Sequence, residues 1–121
     1  MDPLVSVCVV AYEQKDFIRQ CLDSILGQKT NFEWELIIGE DGSTDGTKEI
    51  CEDYAKRYPD KIRLQLRSRQ EVIHINGRPT ARYNIIQTIK ASKGKYIAIL
   101  EGDDYWTDPR KLQKQIGRAH V

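Results

Sequence analysis

The sequence has little excess charge of either sign. Nineteen lysine and arginine residues are set against 18 aspartate and glutamate residues, which leaves a formal net charge of +1. The basic residues are scattered among acidic ones, so the sequence does not favour a nucleic-acid partner. No stretch approaches the roughly 18 to 20 apolar residues of a membrane span. The first residues pass directly into a strand-like segment, so we expect no secretory signal.

Cysteine is also scarce, with only Cys8, Cys21 and Cys51 in the chain. These three residues lie inside apolar patterns, and their spacing is not that of a metal site. We therefore expect reduced, buried cysteines in a cytoplasmic protein rather than a disulfide or zinc set.

What the sequence does contain is an alternation of strand-like and helix-like segments. Nearly continuous apolar runs at 4–10, 34–38 and 96–100 are typical of buried parallel strands, and the alternating pattern at 62–66 predicts a strand near the sheet edge. Helical spacing of apolar residues occurs at 17–25, 47–58 and 85–89, whereas 68–79 has the composition of a loop. Long crossovers imply parallel strands, right-handed connections and helices on both faces. The sequence thus predicts a doubly wound α/β sheet with strand order 3-2-1-4.

The helix boundaries give further expectations. Ser43 or Thr44 is a candidate cap of the second helix, and Asp108 followed by Pro109 is expected to open a fourth. Gly117 is expected to break that last helix at once. We therefore predict that 1–115 belong to the domain and that 116–121 are a non-native tail.

Polar and acidic clusters follow three of the predicted strands. They are 11–13 (Ala-Tyr-Glu), 40–46 (Glu-Asp-Gly-Ser-Thr-Asp-Gly) and 101–106 (Glu-Gly-Asp-Asp-Tyr-Trp). Ligands of open parallel sheets bind beyond the carboxyl ends of the strands, so we expect these clusters to form one site. Five carboxylates would repel one another there unless paired, and Mg²⁺ or Mn²⁺ would relieve that repulsion.

Each cluster also has a simpler interpretation. The residues 40–46 could form only a turn and a helix cap, and 101–104 could be a solvated acidic loop. Tyr105 and Trp106 could serve packing alone. The combination of all three clusters at one sheet edge is what favours a binding site.

At this point the chain resembles the N-terminal part of family 2 glycosyltransferases with the GT-A fold. Residues 5–13 resemble the family's first strand and its Pro-x-Tyr-Asn turn, which here runs through Ala11 and Tyr12 to Glu13 in place of the asparagine. Residues 36–46 resemble the Asp-Asp-Gly-Ser-x-Asp-Gly segment, with Glu40 in place of the first aspartate. Residues 94–104 resemble the segment that carries the DXD motif, with Glu101 in place of its first aspartate.

The resemblance implies roles for particular residues. Asp41 would contact the nucleotide base, and Asp103, flanked by Glu101 and Asp104, would coordinate the metal that bridges the diphosphate. The implied nucleotide-binding residues are Ala11, Tyr12, Glu13, Glu40, Asp41, Arg82, Asn84, Glu101 and Gly102, and the implied metal ligands are Asp103 and Asp104.

The resemblance also implies a reaction, the inverting and metal-assisted transfer of a sugar from a nucleotide-diphosphate sugar to a saccharide or lipid-linked acceptor. The chain would supply donor and metal binding only, and would be inactive alone, because the family's general base is expected beyond residue 121. Polysaccharide biosynthesis of the cell envelope, and peripheral association of the full-length enzyme with the inner face of the membrane, are further expectations.

Other α/β proteins fit less well. The first predicted strand is not followed by the glycines of a dinucleotide-binding turn, and the chain has no P-loop. A sugar-1-phosphate nucleotidyltransferase remains an alternative, although its glycine- and arginine-rich turn is absent. A receiver domain is a non-enzymatic alternative, but it would need an acidic pair after strand one and a lone aspartate after strand three.

Overall fold

A computed structural model describes residues 2–119 of the chain. The strands are β1 (Val5–Ala11), β2 (Trp34–Glu40), β3 (Ile62–Leu66), β4 (His74–Ile75), β5 (Arg78–Pro79) and β6 (Tyr96–Glu101). The helices are α1 (Ile18–Leu26), α2 (Thr47–Arg57), α3 (Arg82–Lys90) and α4 (Lys111–Ala119), with one 3₁₀ turn at Arg69–Glu71. None of the helices in this described part is long and apolar enough to cross a membrane.

Within residues 2–119, the main sheet has four parallel strands in the order β3-β2-β1-β6. The predicted fourth strand is β6, so the predicted order 3-2-1-4 is confirmed. All seven residues of β1 are buried, as expected for a central strand covered on both faces. β3 is an edge strand of the described sheet and is only partly buried.

Helices cover both faces of the sheet, as predicted. Val7 and Val9 of β1 belong to an apolar core with α1 and α2, whose members include Leu22 and Cys51. On the opposite face, the Cys8 thiol lies 3.9 Å from the carbonyl oxygen of Thr88 in α3. All three cysteines are free and buried, so their predicted burial is confirmed.

A glycine allows α3 to approach the sheet closely. A Cβ atom added to Gly39 in β2 would lie 2.2 Å from Asn84 Oδ1 and 2.3 Å from Thr88 Oγ1, both fully buried. The Asn84 side chain also donates to the Gly39 carbonyl at 2.8 Å. The hydrogen bond and the missing side chain together fix how α3 packs on the sheet.

Several predicted boundaries were wrong. The helix α2 begins at Thr47 after Gly46, which has φ +111° and no side-chain cap, so neither Ser43 nor Thr44 caps it. The segment 68–79 is not wholly loop, since it forms the 3₁₀ turn and the β4–β5 hairpin.

The last helix also differs from expectation at both ends. It begins at Lys111 rather than directly after Asp108, although Asp108 Oδ1 does accept from Arg110 N at 2.9 Å. It continues through Gly117 to Ala119, because one glycine costs only about 1 kcal/mol of helix propensity and need not end a helix. Residues 120 and 121 of the predicted tail lie outside the described residues.

Candidate functional site

A cavity of about 230 Å³ opens at the carboxyl edge of the sheet. Its lining comes from the ends of β1, β2 and β6 and from the start of α3: Val10, Ala11, Tyr12, Gln14, Asp41, Ala81, Asn84 and Glu101. Five of these residues, Ala11, Tyr12, Asp41, Asn84 and Glu101, are among those singled out from the sequence. Parallel strands end at a common edge, and that geometry brings together residues as far apart in the chain as Val10 and Glu101.

The loop after β1 is hydrogen-bonded to the loop after β2 through consecutive backbone groups. The N–H of Glu13 donates to Ser43 Oγ at 2.9 Å, and the N–H of Gln14 donates to Thr47 Oγ1 at 2.8 Å. The next N–H, that of Lys15, donates to Asp45 Oδ2 at 3.2 Å. These bonds hold the cavity wall that contains Tyr12 against the segment that contains Asp41.

Glu13 strengthens this connection instead of facing the cavity. Its φ is +52°, an uncommon conformation for a residue with a side chain. Its carboxylate accepts from the backbone N–H of Thr44 at 2.6 Å and from the Thr44 hydroxyl at 3.1 Å. Glu13 is therefore placed to hold the loop, and it does not line the cavity.

Glu40 has a similar structural role. The residue is 1% exposed, and its carboxylate accepts from the backbone N–H groups of Gly42 and Ser43, each at 3.0 Å. Both oxygens are used in shaping the turn, where Gly42 adopts φ +80°. The side chain of Glu40 is one methylene longer than that of aspartate, and its carboxylate holds the loop in shape through these hydrogen bonds.

Asp41, the next residue, forms an ion pair with the guanidinium of Arg69. Its carboxylate lies 3.1 Å from Arg69 Nη1, and that guanidinium also lies 3.8 Å above the centre of the Tyr12 ring. Burial raises the pKa of Asp41, and the nearby Glu40 adds to the increase, whereas Arg69 and Arg67 oppose it. The guanidinium of Arg69 therefore lies over the Tyr12 ring and beside a buried carboxylate that lines the cavity.

The partners of Glu40 and Asp41 correct the expectation that five carboxylates repel one another at this edge. Glu40 is neutralised in part by backbone dipoles and Asp41 by Arg69. The remaining acidic residues are exposed, with Glu101 at the end of β6 and Asp103 and Asp104 in the turn that follows. Repulsion among five unpaired charges therefore gives no argument for a metal ion.

The turn after β6 can still provide oxygen ligands. Asp104 Oδ1 accepts from the N–H of Tyr105 at 2.9 Å, while Asp103 makes no hydrogen bond or ion pair within residues 2–119. No group of three or more metal-ligating side chains occurs in that same part of the chain. One or two exposed carboxylates could supply only part of the six oxygens that Mg²⁺ takes, so the rest would have to come from a ligand and water.

Asn84 and Arg82 differ in what they can do. Asn84 is buried, bonds to Gly39 and accepts from Arg67 Nε at 2.6 Å, so its amide is largely used within the protein even though it borders the cavity. Arg82 is exposed at the start of α3 and does not line the cavity. Gly102 is buried in the turn after β6 and is likewise not part of the lining.

Arg69 and Gln14 were missed by reasoning from the sequence. Arg69 follows β3, so the rule applied to the ends of the other strands would have found it, had that rule been extended to the third strand. Gln14 follows β1 within two residues of Tyr12, and only its position in the structure distinguishes it from an ordinary polar loop residue.

A larger cavity, of about 470 Å³, lies elsewhere, between the segment 105–108 and α4. Its lining includes Tyr105, Trp106 and Lys114 but none of the residues at the ends of β1 and β2. The smaller cavity at the carboxyl edge is the better candidate, because side chains from three strand ends converge there.

Comparison with known proteins identifies the family. The sequence model of glycosyl transferase family 2 matches residues 6–120, so the chain belongs to that family. It is 41% identical over 112 residues to the uncharacterised protein Rv1520 of Mycobacterium tuberculosis, covering 93% of this chain and 30% of that protein. It is 42% identical over 106 residues to EpsJ of Bacillus subtilis, described as an uncharacterised glycosyltransferase, covering 87% of this chain and 27% of EpsJ. The chain thus spans less than a third of the length of these relatives.

A solved structure shares the fold. The mannosyltransferase PcManGT from Pyrobaculum calidifontis, in complex with GDP-Man and Mn²⁺, superposes with a TM-score of 0.76 at 22% identity. The match covers 96% of this chain and 32% of PcManGT. The doubly wound parallel sheet predicted from the sequence is therefore the fold of a glycosyltransferase.

Proposed function

We propose that this chain binds the nucleotide-diphosphate sugar and the divalent cation of a glycosyltransferase. The observation that carries the proposal is the cavity at the carboxyl edge, where Tyr12, Asp41 and Glu101 from three different strand ends line one space. An aromatic ring beside a buried carboxylate suits a nucleotide base, which offers a flat face and N–H donors. Membership of glycosyl transferase family 2 supports the same ligand.

The residues divide into those that contact the donor and those that hold them. Tyr12 and Asp41 contact the base, with Ala11 and Glu101 forming the adjoining wall. Glu13, Glu40 and Asn84, which the resemblance placed among the nucleotide ligands, act instead through hydrogen bonds that fix the loops. The binding surface is in this way built before the nucleotide arrives, which lowers the entropic cost of binding.

Asp103, with Asp104 beside it, would hold Mg²⁺ or Mn²⁺. Such an ion, when bound with the donor, supplies charge neutralisation to the diphosphate leaving group. The complex of PcManGT with GDP-Man and Mn²⁺ supports a divalent cation in a protein of this fold. Asp103 is suited to the role because its carboxylate is exposed and has no competing partner in residues 2–119.

The whole protein would transfer the sugar with inversion to a saccharide or lipid-linked acceptor in building a polysaccharide of the cell envelope. Inversion requires a general base that removes the proton from the acceptor hydroxyl, and the resemblance places that base after residue 121. The residues of this chain bind and orient the donor, and no catalytic base is assigned among them.

The experiment is titration calorimetry of UDP, GDP, CDP and ADP, with Mn²⁺ and with a chelator. One or two carboxylates cannot fill six coordination positions, so metal and nucleotide should each raise the affinity of the other by the same factor. Asp103→Ala should abolish this mutual dependence. The matched control Asp108→Ala removes a carboxylate bonded to Arg110 N and Lys114, and should lower stability while leaving binding intact.

Two outcomes would contradict the proposal in different ways. Equal nucleotide affinity with Mn²⁺ and with chelator would remove the metal role of Asp103. Failure of every nucleotide to bind under either condition would remove the donor site itself.

A further inference from the structure

The side chain of Gln14 lies between the two parts of the proposed donor site. It lines the cavity together with Tyr12 and Glu101. A Cβ atom added to Gly102, in the turn that carries Asp103, would lie 2.3 Å from Gln14 Oε1, so the amide packs directly against the backbone of that turn. Gln14 thus contacts both the backbone of Tyr12 and the proposed metal-binding turn.

Nearly every polar group of Gln14 has a partner inside the protein. Its N–H donates to Thr47 Oγ1 at 2.8 Å, and its carbonyl oxygen accepts from the N–H groups of Phe17 and Ile18 at 3.0 and 2.9 Å. The side-chain oxygen accepts from the N–H of Tyr12 at 3.2 Å. This last bond fixes the orientation of the amide, because only its oxygen can accept from an N–H donor.

The side-chain nitrogen is the exception. Within residues 2–119, no acceptor is bonded to Nε2 of Gln14, whose two N–H groups are therefore available to a ligand. Gln14 is half-buried, so this nitrogen belongs to a side chain already held by its contacts with Tyr12 and Gly102. An ordered donor gains more from a ligand oxygen than a mobile one, since less conformational entropy is lost on binding.

We infer that Gln14 is a donor-binding residue whose Nε2 donates to an oxygen of the ribose or phosphate of the nucleotide. The inference rests on the proposed function, in which the base lies at Tyr12 and the diphosphate at Asp103. The ribose and its phosphate connect those two groups chemically, and Gln14 connects the same two places in the protein. Gln14 would therefore contribute to affinity for any base, rather than to the choice among bases.

The test uses two substitutions that separate donation from packing. Gln14→Glu keeps the size of the side chain and an oxygen that can accept from Tyr12 N–H, but it removes both donors and adds a negative charge. Gln14→Met keeps the length and adds no charge, but it removes both the donors and the oxygen that accepts from Tyr12 N–H. Gln20→Glu, at an exposed position on α1, is the matched control for the added charge.

Affinity is measured by calorimetry for whichever of UDP, GDP, CDP and ADP the wild type binds, and for the corresponding monophosphate and nucleoside. We expect Gln14→Glu to weaken diphosphate binding at least tenfold and Gln14→Met several-fold, consistent with the loss of one hydrogen bond to the ligand. Gln20→Glu should bind as the wild type does, and the urea midpoint of Gln14→Glu should not change. A loss already present with the nucleoside assigns the contact to the ribose, and one that begins with the monophosphate assigns it to phosphate.

Two results would contradict the role of Gln14 while leaving the proposed function uncontradicted. Wild-type affinity in Gln14→Met, with a loss only in Gln14→Glu, would show charge repulsion and no donation from the amide. Wild-type affinity in both variants would leave Gln14 a packing residue. If the wild type bound no nucleotide at all, both the proposed donor site and the role of Gln14 would be refuted.

Discussion

The stabilisation of the loop by the Glu40 carboxylate can be tested by replacing that carboxylate with an amide. In Glu40→Gln the shape is nearly unchanged, and one oxygen can still accept from the N–H of Ser43. The other oxygen becomes an NH₂ group, which faces the N–H donor of Gly42 in a buried position. The substitution therefore removes a hydrogen bond to a charged acceptor and sets two donors against each other.

The expected loss follows from the bonds involved. A hydrogen bond to a charged group contributes about 1.5–3 kcal/mol, and the lower cost of burying a neutral amide offsets part of its loss. We expect the free energy of unfolding to fall by about 2 kcal/mol, which corresponds to a melting temperature roughly 8 °C lower in a chain of this size. Urea denaturation followed by circular dichroism gives the midpoint and the slope from which this energy is obtained.

The control is Glu33→Gln, which makes the same chemical change at an exposed side chain 3.6 Å from Lys61. Exposed ion pairs contribute at most about 1 kcal/mol, so this variant should remain close to the wild type. Nucleotide affinity should fall in Glu40→Gln alone, because Asp41 lies in the loop that Glu40 holds. An unchanged urea midpoint for Glu40→Gln would refute the reasoning that its carboxylate stabilises the loop.

Three further outcomes are expected. Gly39→Ala should lower the free energy of unfolding by about 1–3 kcal/mol, because its Cβ would collide with the buried Asn84, and unchanged urea stability would show that α3 can shift freely. Burial acts to raise the pKa of Glu35, but hydrogen bonds that include one from Arg63 at 2.7 Å lower it overall, so its contribution is present at neutral pH and lost as pH falls through the folded-state value. Glu35→Gln should accordingly be less stable than the wild type at pH 7, with the difference closing in acid, and a gap that persisted in acid would contradict this. Burial raises the pKa of Cys8, so a thiol reagent should label it slowly in the native protein and rapidly in denaturant, and rapid native labelling would place it outside the sheet.

Sequence patterns were sufficient for the sheet because its strands are buried on both faces. A strand such as β1, with seven buried residues, must be apolar along its whole length, and that run is visible without a structure. Once the strands are parallel and the connections right-handed, few orders remain, and 3-2-1-4 is the one observed. The position of the candidate site could be predicted from the same geometry, since the carboxyl ends of the parallel strands share one edge.

The side-chain partners at that edge could not be read in the same way. Arg69 pairs with Asp41 across 28 positions, and no periodic pattern links the two residues. Glu40 and Glu13 carry the acidic character expected of a ligand site, yet their carboxylates are used by backbone N–H groups of the neighbouring loop. Residue type alone does not distinguish a carboxylate that binds a ligand from one that braces a turn.

The three consecutive N–H groups of residues 13–15 have a consequence for how this chain can vary. Each donates to a different side chain between Ser43 and Thr47, in a one-to-one match. Adding or removing one residue in either segment would displace the donors by about 3.8 Å, the spacing of adjacent Cα atoms, and would break all three bonds together. Surface loops usually tolerate changes in length independently, but these two can change only as a pair. Any chimera that imports the base-binding loop of another protein must therefore take both segments from the same parent.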